Sequence, residues 1–188
     1  MTQPSRTPTQ ITDPSGLTVA SNVRRVREAR GWSTYELAKK LKDGGRPVSP
    51  SALAKIERGE RRVDVGDLMA LAVALNVPPS GLLLPVATEP TAEVEITGRR
   101  QTVFAIQAWE WADGRGTLDV PAGGHEAYQA HTLYRLYGRP HWLVDLEDEE
   151  EAGADRNRGS RLARVAGIER DEVTGRYRFR REGGGDDG

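Results

Sequence analysis

Residues 33–59 read S-T-Y-E-L-A-K-K-L-K-D-G-G-R-P-V-S-P-S-A-L-A-K-I-E-R-G, and this stretch decides the fold of the first half of the chain. Ser33 and Glu36 have the Ser-x-x-Glu spacing of a capping box, which satisfies first-turn N–H groups reciprocally and so starts a helix. Leu37, Ala38 and Leu41 give that helix an apolar stripe at helical spacing. Lys42–Val48 (K-D-G-G-R-P-V) reads as a connection of seven residues. A second helix then opens with Ser49 as N-cap and Pro50 at the first helical position, where the absence of an N–H costs nothing. Gly59 supplies its stop. At 100° per residue Leu53 and Ile56 point inward, while Ser51, Ala52 and Lys55 fall on the opposite side, a short polar face with one cation.

Helices are predicted on both sides of this pair. Residues 18–30 place Val19, Val23 and Val26 on one face before Gly31, and Trp32 follows as a core plug. Asp64 caps a helix running to about Leu75, with Val63 and Leu68 at the positions of a hydrophobic staple. Leu68, Leu71, Ala72 and Leu75 form its buried stripe, and Asn76 before Val77-Pro78-Pro79 ends it. A last turn over Ser80–Leu84 closes a compact bundle.

Residues 17–85 resemble the Cro/CI-type helix-turn-helix domain of lambda-like repressors and of the xenobiotic-response-element regulators. The likeness rests on V-R-R-V-R-E-A-R-G-W-S-T-Y-E-L-A-K-K-L, V-S-P-S-A-L-A-K-I-E-R-G-E-R-R-V and L-M-A-L-A-V-A-L-N-V-P-P-S-G-L-L, in that order. The resemblance implies a DNA-binding transcriptional regulator whose helix 50–58 enters the major groove while its partner helix crosses the backbone. It assigns Thr34 to a phosphate and an outer base, Ser49, Pro50, Ser51 and Lys55 to base edges, and Arg58, Arg61 and Arg62 to the backbone. It also pairs Arg27 with Glu57 as a partly buried salt bridge. Two features depart from the family pattern. The connection Lys42–Val48 is several residues longer than the usual tight turn, and it is expected either to loosen the packing of the two helices or to form a small wing that aims Arg46 at a phosphate. Pro50 removes one donor from the reading helix, so discrimination per base is expected to be modest.

The charge distribution agrees. Residues 1–85 carry 13 Arg and Lys against 8 Asp and Glu, a net of +5, whereas residues 86–188 carry 14 against 20, a net of −6, which together give the chain's −1. The basic half holds the motif, and phosphate neutralisation predicts strongly salt-dependent binding.

The 188 residues, 37% hydrophobic and 29% charged, suit one firm small domain and one smaller region. The expected fold is mainly α: a four- to five-helix lambda repressor-like bundle followed by a small, partly disordered α+β region. Residues 1–16 read as a disordered arm, 17–85 as the helix-turn-helix domain, 86–92 as a linker, 93–145 as a small region of open role, and 146–188 as an acidic linker and flexible tail. Within the second half, Glu93–Thr97 alternates like a strand, Thr102–Ala112 reads as a helix capped by Thr102, and another helix runs from His125 or Glu126 to Tyr137. Arg161–Ile168 reads as a short helix, and R-Y-R-F-R over 176–180 as a strand. Trp109, Trp111, Tyr134, Tyr137 and Trp142 are expected to form the core of this appendage, ahead of the alternative that they line a ligand pocket or partner surface.

Chemistry is excluded more firmly than it is found. The absence of cysteine removes disulfides, thiolate zinc sites and cysteine catalysis. His125 and His131 are six apart, whereas a zinc-protease helix needs histidines four apart on one face, so no metal or cofactor is expected. The last lysine is Lys55 and the only serine after Ser80 is Ser160, so no Ser-Lys dyad for self-cleavage exists in the second half, and no enzyme activity is expected. The first sixteen residues lack an apolar signal segment and no stretch is long enough to span a bilayer, which points to a cytoplasmic protein with no membrane partner. The expected partners are double-stranded DNA and a second copy of the chain, in a repressor of phage or mobile-element type. The alternative is an antitoxin-like protein whose region 93–145 binds a protein partner while the basic half autoregulates.

Overall fold

The computed structural model describes residues 10–119 and 124–144, and the backbone of 168–170 and 177–179. Two compact units emerge: Met1–Val86 with Glu95–Thr102, and Ala87–Val94 with Val103–Gly188.

Five helices build the first unit: α1 (Pro14–Ala29), α2 (Thr34–Asp43), α3 (Pro50–Glu57), α4 (Val65–Ala74) and α5 (Pro79–Leu83). Their inward faces are those the periodicity predicts. Val19, Val23, Leu37, Leu41, Leu53, Ile56, Leu71, Leu75 and Leu82 form one buried cluster, against which Trp32, Val63 and Leu68 pack. At roughly 1.5–3 kcal/mol per fully buried aliphatic side chain, this cluster is the main source of the unit's cohesion. A polar strut completes it. Buried Asn22 on α1 donates from Nδ2 to the carbonyls of Leu82 (3.1 Å) and Leu84 (2.8 Å), fastening the end of α5.

Two boundaries move from their predicted places. Helix α1 begins at Pro14 rather than residue 18, because Asp13 is a true N-cap: its carboxylate accepts from the Gly16 N–H at 2.8 Å. The end of the stretch expected as a disordered arm is therefore structured. Ile11 is buried and its N–H donates to the Gly59 carbonyl, while residues 1–9 lie outside the described residues. Helix α2 runs on to Asp43, and the left-handed Gly45 (φ +82°) turns the chain so that the Arg46 N–H reaches the Leu41 carbonyl. Part of the long connection is thus an extra stretch of helix.

A second clasp holds the start of α1. Ser15 N–H donates to Thr97 Oγ1 (3.0 Å), Thr97 N–H donates to Ser15 Oγ (3.1 Å), and Thr97 Oγ1 donates to Asp13 (3.1 Å).

The second unit is a small α+β arrangement. Strands β1 (Glu93–Val94) and β2 (Val103–Phe104) pair antiparallel, and α6 (Ala105–Ala112) follows directly. The strand expected over Glu93–Thr97 is therefore cut to its first two residues. Thr102 does not cap α6: Phe104 is the N-cap residue, its N–H donating to Gln107 Oε1 at 3.1 Å. Pro90 and Ala92 accept from the N–H groups of Ile106 and Ala105, which ties the expected linker to α6. Helix α7 spans Gly124–Gly138.

The expected aromatic core is not what holds this unit. Its buried apolar residues among those described are Val94, Val103, Ala105, Ile106, Ala108, Ala127 and Val144, none of them aromatic. Trp109, Trp111 and Tyr134 are half-buried, the Tyr134 hydroxyl donating to the Trp111 carbonyl, whereas Tyr137 (86%) and Trp142 (63%) are exposed. Strands β3 (Ile168–Arg170) and β4 (Tyr177–Phe179) form a second antiparallel pair. The helix expected over Arg161–Ile168 lies outside the described residues except for Ile168, which begins β3; the acidic run and the glycine-rich terminus lie outside them too.

Candidate nucleic-acid interface

Helices α2 and α3 owe their orientation to local chemistry at each end. At the start of α2 the full capping box forms: Ser33 N–H donates to Glu36 Oε2 at 2.6 Å and Glu36 N–H donates to Ser33 Oγ at 3.3 Å. Thr34 is the first residue of the helix, where N–H groups lie outside the intrahelical ladder and can meet an anion. Its side chain makes no hydrogen bond to another described residue.

At the start of α3, Ser49 Oγ accepts from the Ala52 N–H at 3.2 Å and lies 3.1 Å from Ser51 Oγ. Leu53 and Ile56 are fully buried, while Ser49, Ser51 and Lys55 are exposed and Pro50 is half-buried. Ser51 and Lys55 thus lie on the side of α3 away from Leu53 and Ile56, while Ser49 caps the helix and Pro50 opens it. Lys55 forms no ion pair or hydrogen bond through its side chain among the described residues.

The far end of α3 is fixed by a nearly buried ion pair with α1. Arg27 Nε and Nη2 reach the two Glu57 oxygens at 2.6 and 2.8 Å, and Arg27 Nη1 donates to the Trp32 carbonyl at 2.6 Å. Glu57 and burial pull on Arg27 in opposite senses; the hydrogen bond is the stronger, so the guanidinium is held charged more firmly than usual. Two cations lie over the Trp32 ring, Lys40 Nζ at 4.4 Å and the Arg30 guanidinium carbon at 5.2 Å from its centroid.

The arginines assigned to the backbone are dispersed around α3 and, with one exception, already engaged. Arg58 makes a two-bond pair with Glu60 at 2.8 Å each. Arg61 donates to Asp67 Oδ2 at 3.2 Å. Arg46 donates to Asp67 Oδ1 at 2.9 Å and to both oxygens of Asp64. Arg62 is exposed, makes no hydrogen bond among the described residues, and its charge helps to depress the Asp13 carboxyl, whose main stabiliser is the Gly16 N–H. Asp64 and Asp67 were not singled out from sequence. Asp64 signalled only a helix cap, and Asp67 gave no signal, since its partners lie 21 and 6 residues away.

Residues 23–82 match the family model described as Helix-turn-helix. This segment is a helix-turn-helix domain of the Cro/CI type. It makes the chain a DNA-binding transcription regulator. Two solved structures resemble part of the chain. The restriction-modification controller protein C.AhdI from Aeromonas hydrophila is 29% identical over 35% of this chain and 92% of its own, with a TM-score of 0.32. A hypothetical transcription factor NHTF from Neisseria is 25% identical over 42% of this chain and 91% of its own, with a TM-score of 0.34. No curated protein matches the chain. Among the described residues no helix is long and apolar enough to cross a membrane.

Proposed function

We propose that the chain is a sequence-specific repressor of phage or mobile-element type that reads the major groove of duplex DNA with the outer side of α3. The observation that carries this reading is that Ser51 and Lys55 stand exposed on α3, with the exposed cap Ser49 at its head, while Leu53 and Ile56 anchor it from behind. Thr34 at the head of α2 meets a phosphate on one flank, and Arg58, Arg61 and Arg62 serve the other. One such helix covers few base pairs, so the protein acts as a homodimer on a near-palindromic operator with half-sites about one helical turn apart. An exposed apolar ridge on α4, Val65, Met69 and Val73 at successive i, i+4 positions, supports pairing of two copies. Such a protein works in the cytoplasm, with its DNA.

Selection of bound fragments from a random duplex pool supplies the operator. The double variant Ser51→Ala, Lys55→Ala then weakens operator binding far more than binding to scrambled DNA, whereas Arg62→Ala weakens both alike. Equal losses on the two DNAs for the double variant would refute the reading face.

A second reading has its own support. Tyr128, Leu133, Leu136, Tyr137 and Trp142 leave the α7 region with several large exposed apolar side chains, which suits an antitoxin-like role in which residues 93–145 bind a protein partner. A stoichiometric partner that purifies with the chain and is lost on Tyr137→Ser, Trp142→Ser would favour it.

A further inference from the structure

Asp67 is the least expected acid in a surface meant to grip phosphates. It lies in the first turn of α4, and its side chain is only 4% exposed. A carboxylate so withdrawn from water needs strong partners. It has two: Arg46 Nε on Oδ1 at 2.9 Å and Arg61 Nη2 on Oδ2 at 3.2 Å. Arg46 comes from the connection that precedes α3, and Arg61 from the one that follows it. The two segments that bracket the reading helix are therefore fastened to a single carboxylate.

The surroundings are shaped for this arrangement. Asp64, the α4 cap, spends Oδ1 on the Asp67 N–H at 2.7 Å and still receives Arg46 Nη2 on both oxygens. Gly66 leaves room for the guanidinium: a Cβ there would stand 3.3 Å from Arg46 Cζ and 3.2 Å from Asp64 Oδ1. Each arginine side chain nevertheless remains nearly half exposed. Asp67 thus holds one edge of each guanidinium, and donors remain on the outer edges, since a guanidinium carries five N–H groups in a fixed fork.

We propose that Asp67 is a positioning residue for DNA binding, holding Arg46 and Arg61 as one preformed pair that receives a single backbone phosphate beside α3. This rests on the helix-turn-helix reading of the interface. The physical gain is pre-organisation. A free arginine loses side-chain entropy when it settles on a phosphate, and one already held loses little.

The proposal makes a counter-intuitive forecast. Arg46, Arg61, Asp64 and Asp67 sum to zero charge, so Coulomb's law alone says that removing either acid tightens DNA binding. Positioning says that the two acids differ. Asp67→Asn keeps one acceptor for Arg46 but turns an amide donor toward Arg61, which then swings away. Asp64→Asn, at an exposed position, leaves the Asp67 grip in place.

The test uses the full chain and a mixed-sequence duplex, with affinity followed by fluorescence anisotropy across a salt series below the melting range of every variant. Loss of one phosphate contact lowers the salt slope by about 0.9, equivalent to about eightfold weaker binding at 0.1 M salt. Asp67→Asn is expected to show that loss, Arg61→Ala to show the same loss, and the two together no more than either alone. Asp64→Asn is expected to bind as tightly as the parent or more so. Binding by Asp67→Asn that equals or exceeds the parent's, or losses that multiply when it is combined with Arg61→Ala, would overturn the proposal. Should Asp67→Asn fail to fold, Arg46→Gln and Arg61→Gln carry the same cycle: a combined loss no larger than the greater single loss supports one shared phosphate, and multiplied losses refute it. If the parent chain itself shows no salt-dependent binding, the helix-turn-helix reading fails first, and that result is distinct from either outcome.

Discussion

Changing Glu57 to Gln strands a buried cation, and the size of the penalty follows from the geometry. The Arg27 and Glu57 side chains are 11% and 7% exposed, and two bonds of 2.6 and 2.8 Å join them. In Glu57→Gln one amide oxygen still accepts an N–H, but the amide nitrogen faces Arg27 Nη2 donor to donor. Arg27 then keeps the Trp32 carbonyl at 2.6 Å and a longer contact, 3.4 Å, to the exposed Glu28 carboxylate. Breaking one side of a buried pair costs about 3–5 kcal/mol, and the slight exposure of Arg27 sets the expectation near the lower end, about 3 kcal/mol. For a domain of this size that corresponds to a melting temperature lower by about 12–24 °C. The assay is thermal unfolding followed by circular dichroism on the full chain. A companion variant, Arg27→Met with Glu57→Leu, fills the same space with apolar groups and is expected to lie within about 1 kcal/mol of the parent. If Glu57→Gln melts within a few degrees of the parent, or if the apolar pair is as unstable as the single variant, the argument that an unpaired buried charge sets the cost is wrong.

Two further outcomes follow from the same structure. Asn22→Leu leaves the carbonyls of Leu82 and Leu84 without their donor and is expected to lower stability by about 2 kcal/mol, read as a shift of the urea midpoint with the slope unchanged. The carboxyls of Asp13, Glu36 and Asp64 are held below their ordinary values, chiefly by the N–H groups of Gly16, Ser33 and Asp67, and those of Glu28 and Glu60 by Arg24 and Arg58. Depressed folded-state values mean that this stability is fully present above the ordinary carboxylate range and is lost as pH falls through the lower folded values. Acid unfolding that set in well above the ordinary carboxylate range would contradict that sign.

Much of the first unit was legible because its signals are local. The Ser33 box, the Ser49-Pro50 start and the Gly59 stop each involve residues within four positions of one another, and the structure contains all three. The start of α1 carried the same kind of signal, Asp13 followed by Pro14, but the chain around it is rich in Thr, Pro and Ser, so composition outweighed the cap. Contacts made at long range were not legible. Nothing in the spacing of Arg46, Arg61 and Asp67 announces that they meet. The second unit failed for a different reason. The aromatics are expected in a core that aliphatic residues such as Val94, Val103, Ile106 and Ala108 occupy, while Tyr137 and Trp142 stay exposed. Aromatic content reports how much apolar surface exists, not which residues the backbone brings together.

Counting charges and counting available charges give different pictures of this surface. The first 85 residues carry a net of +5, yet Arg27, Arg46, Arg58 and Arg61 are all paired with acids, whereas Lys55 and Arg62 form no ion pair among the described residues. These pairs differ in how readily a phosphate can replace the carboxylate. Arg58 and Glu60 are both about half exposed, and an exposed pair contributes about 0–1 kcal/mol, so a phosphate displaces Glu60 at little cost. Arg27 cannot make that exchange because it is nearly buried, with its shortest ion-pair contacts to the equally buried Glu57. Arg46 and Arg61 stand between these limits, bound on one edge and open on the other. Exchange of a carboxylate for a phosphate also changes the salt dependence. An arginine that leaves Glu60 frees an anion that gathers its own counterions, which offsets part of the release from DNA. The slope of affinity against salt therefore falls short of the number of arginines at the interface. Lys55 makes no ion pair among the described residues and acts on Glu60 only through its charge, so it gives up less when it meets a phosphate.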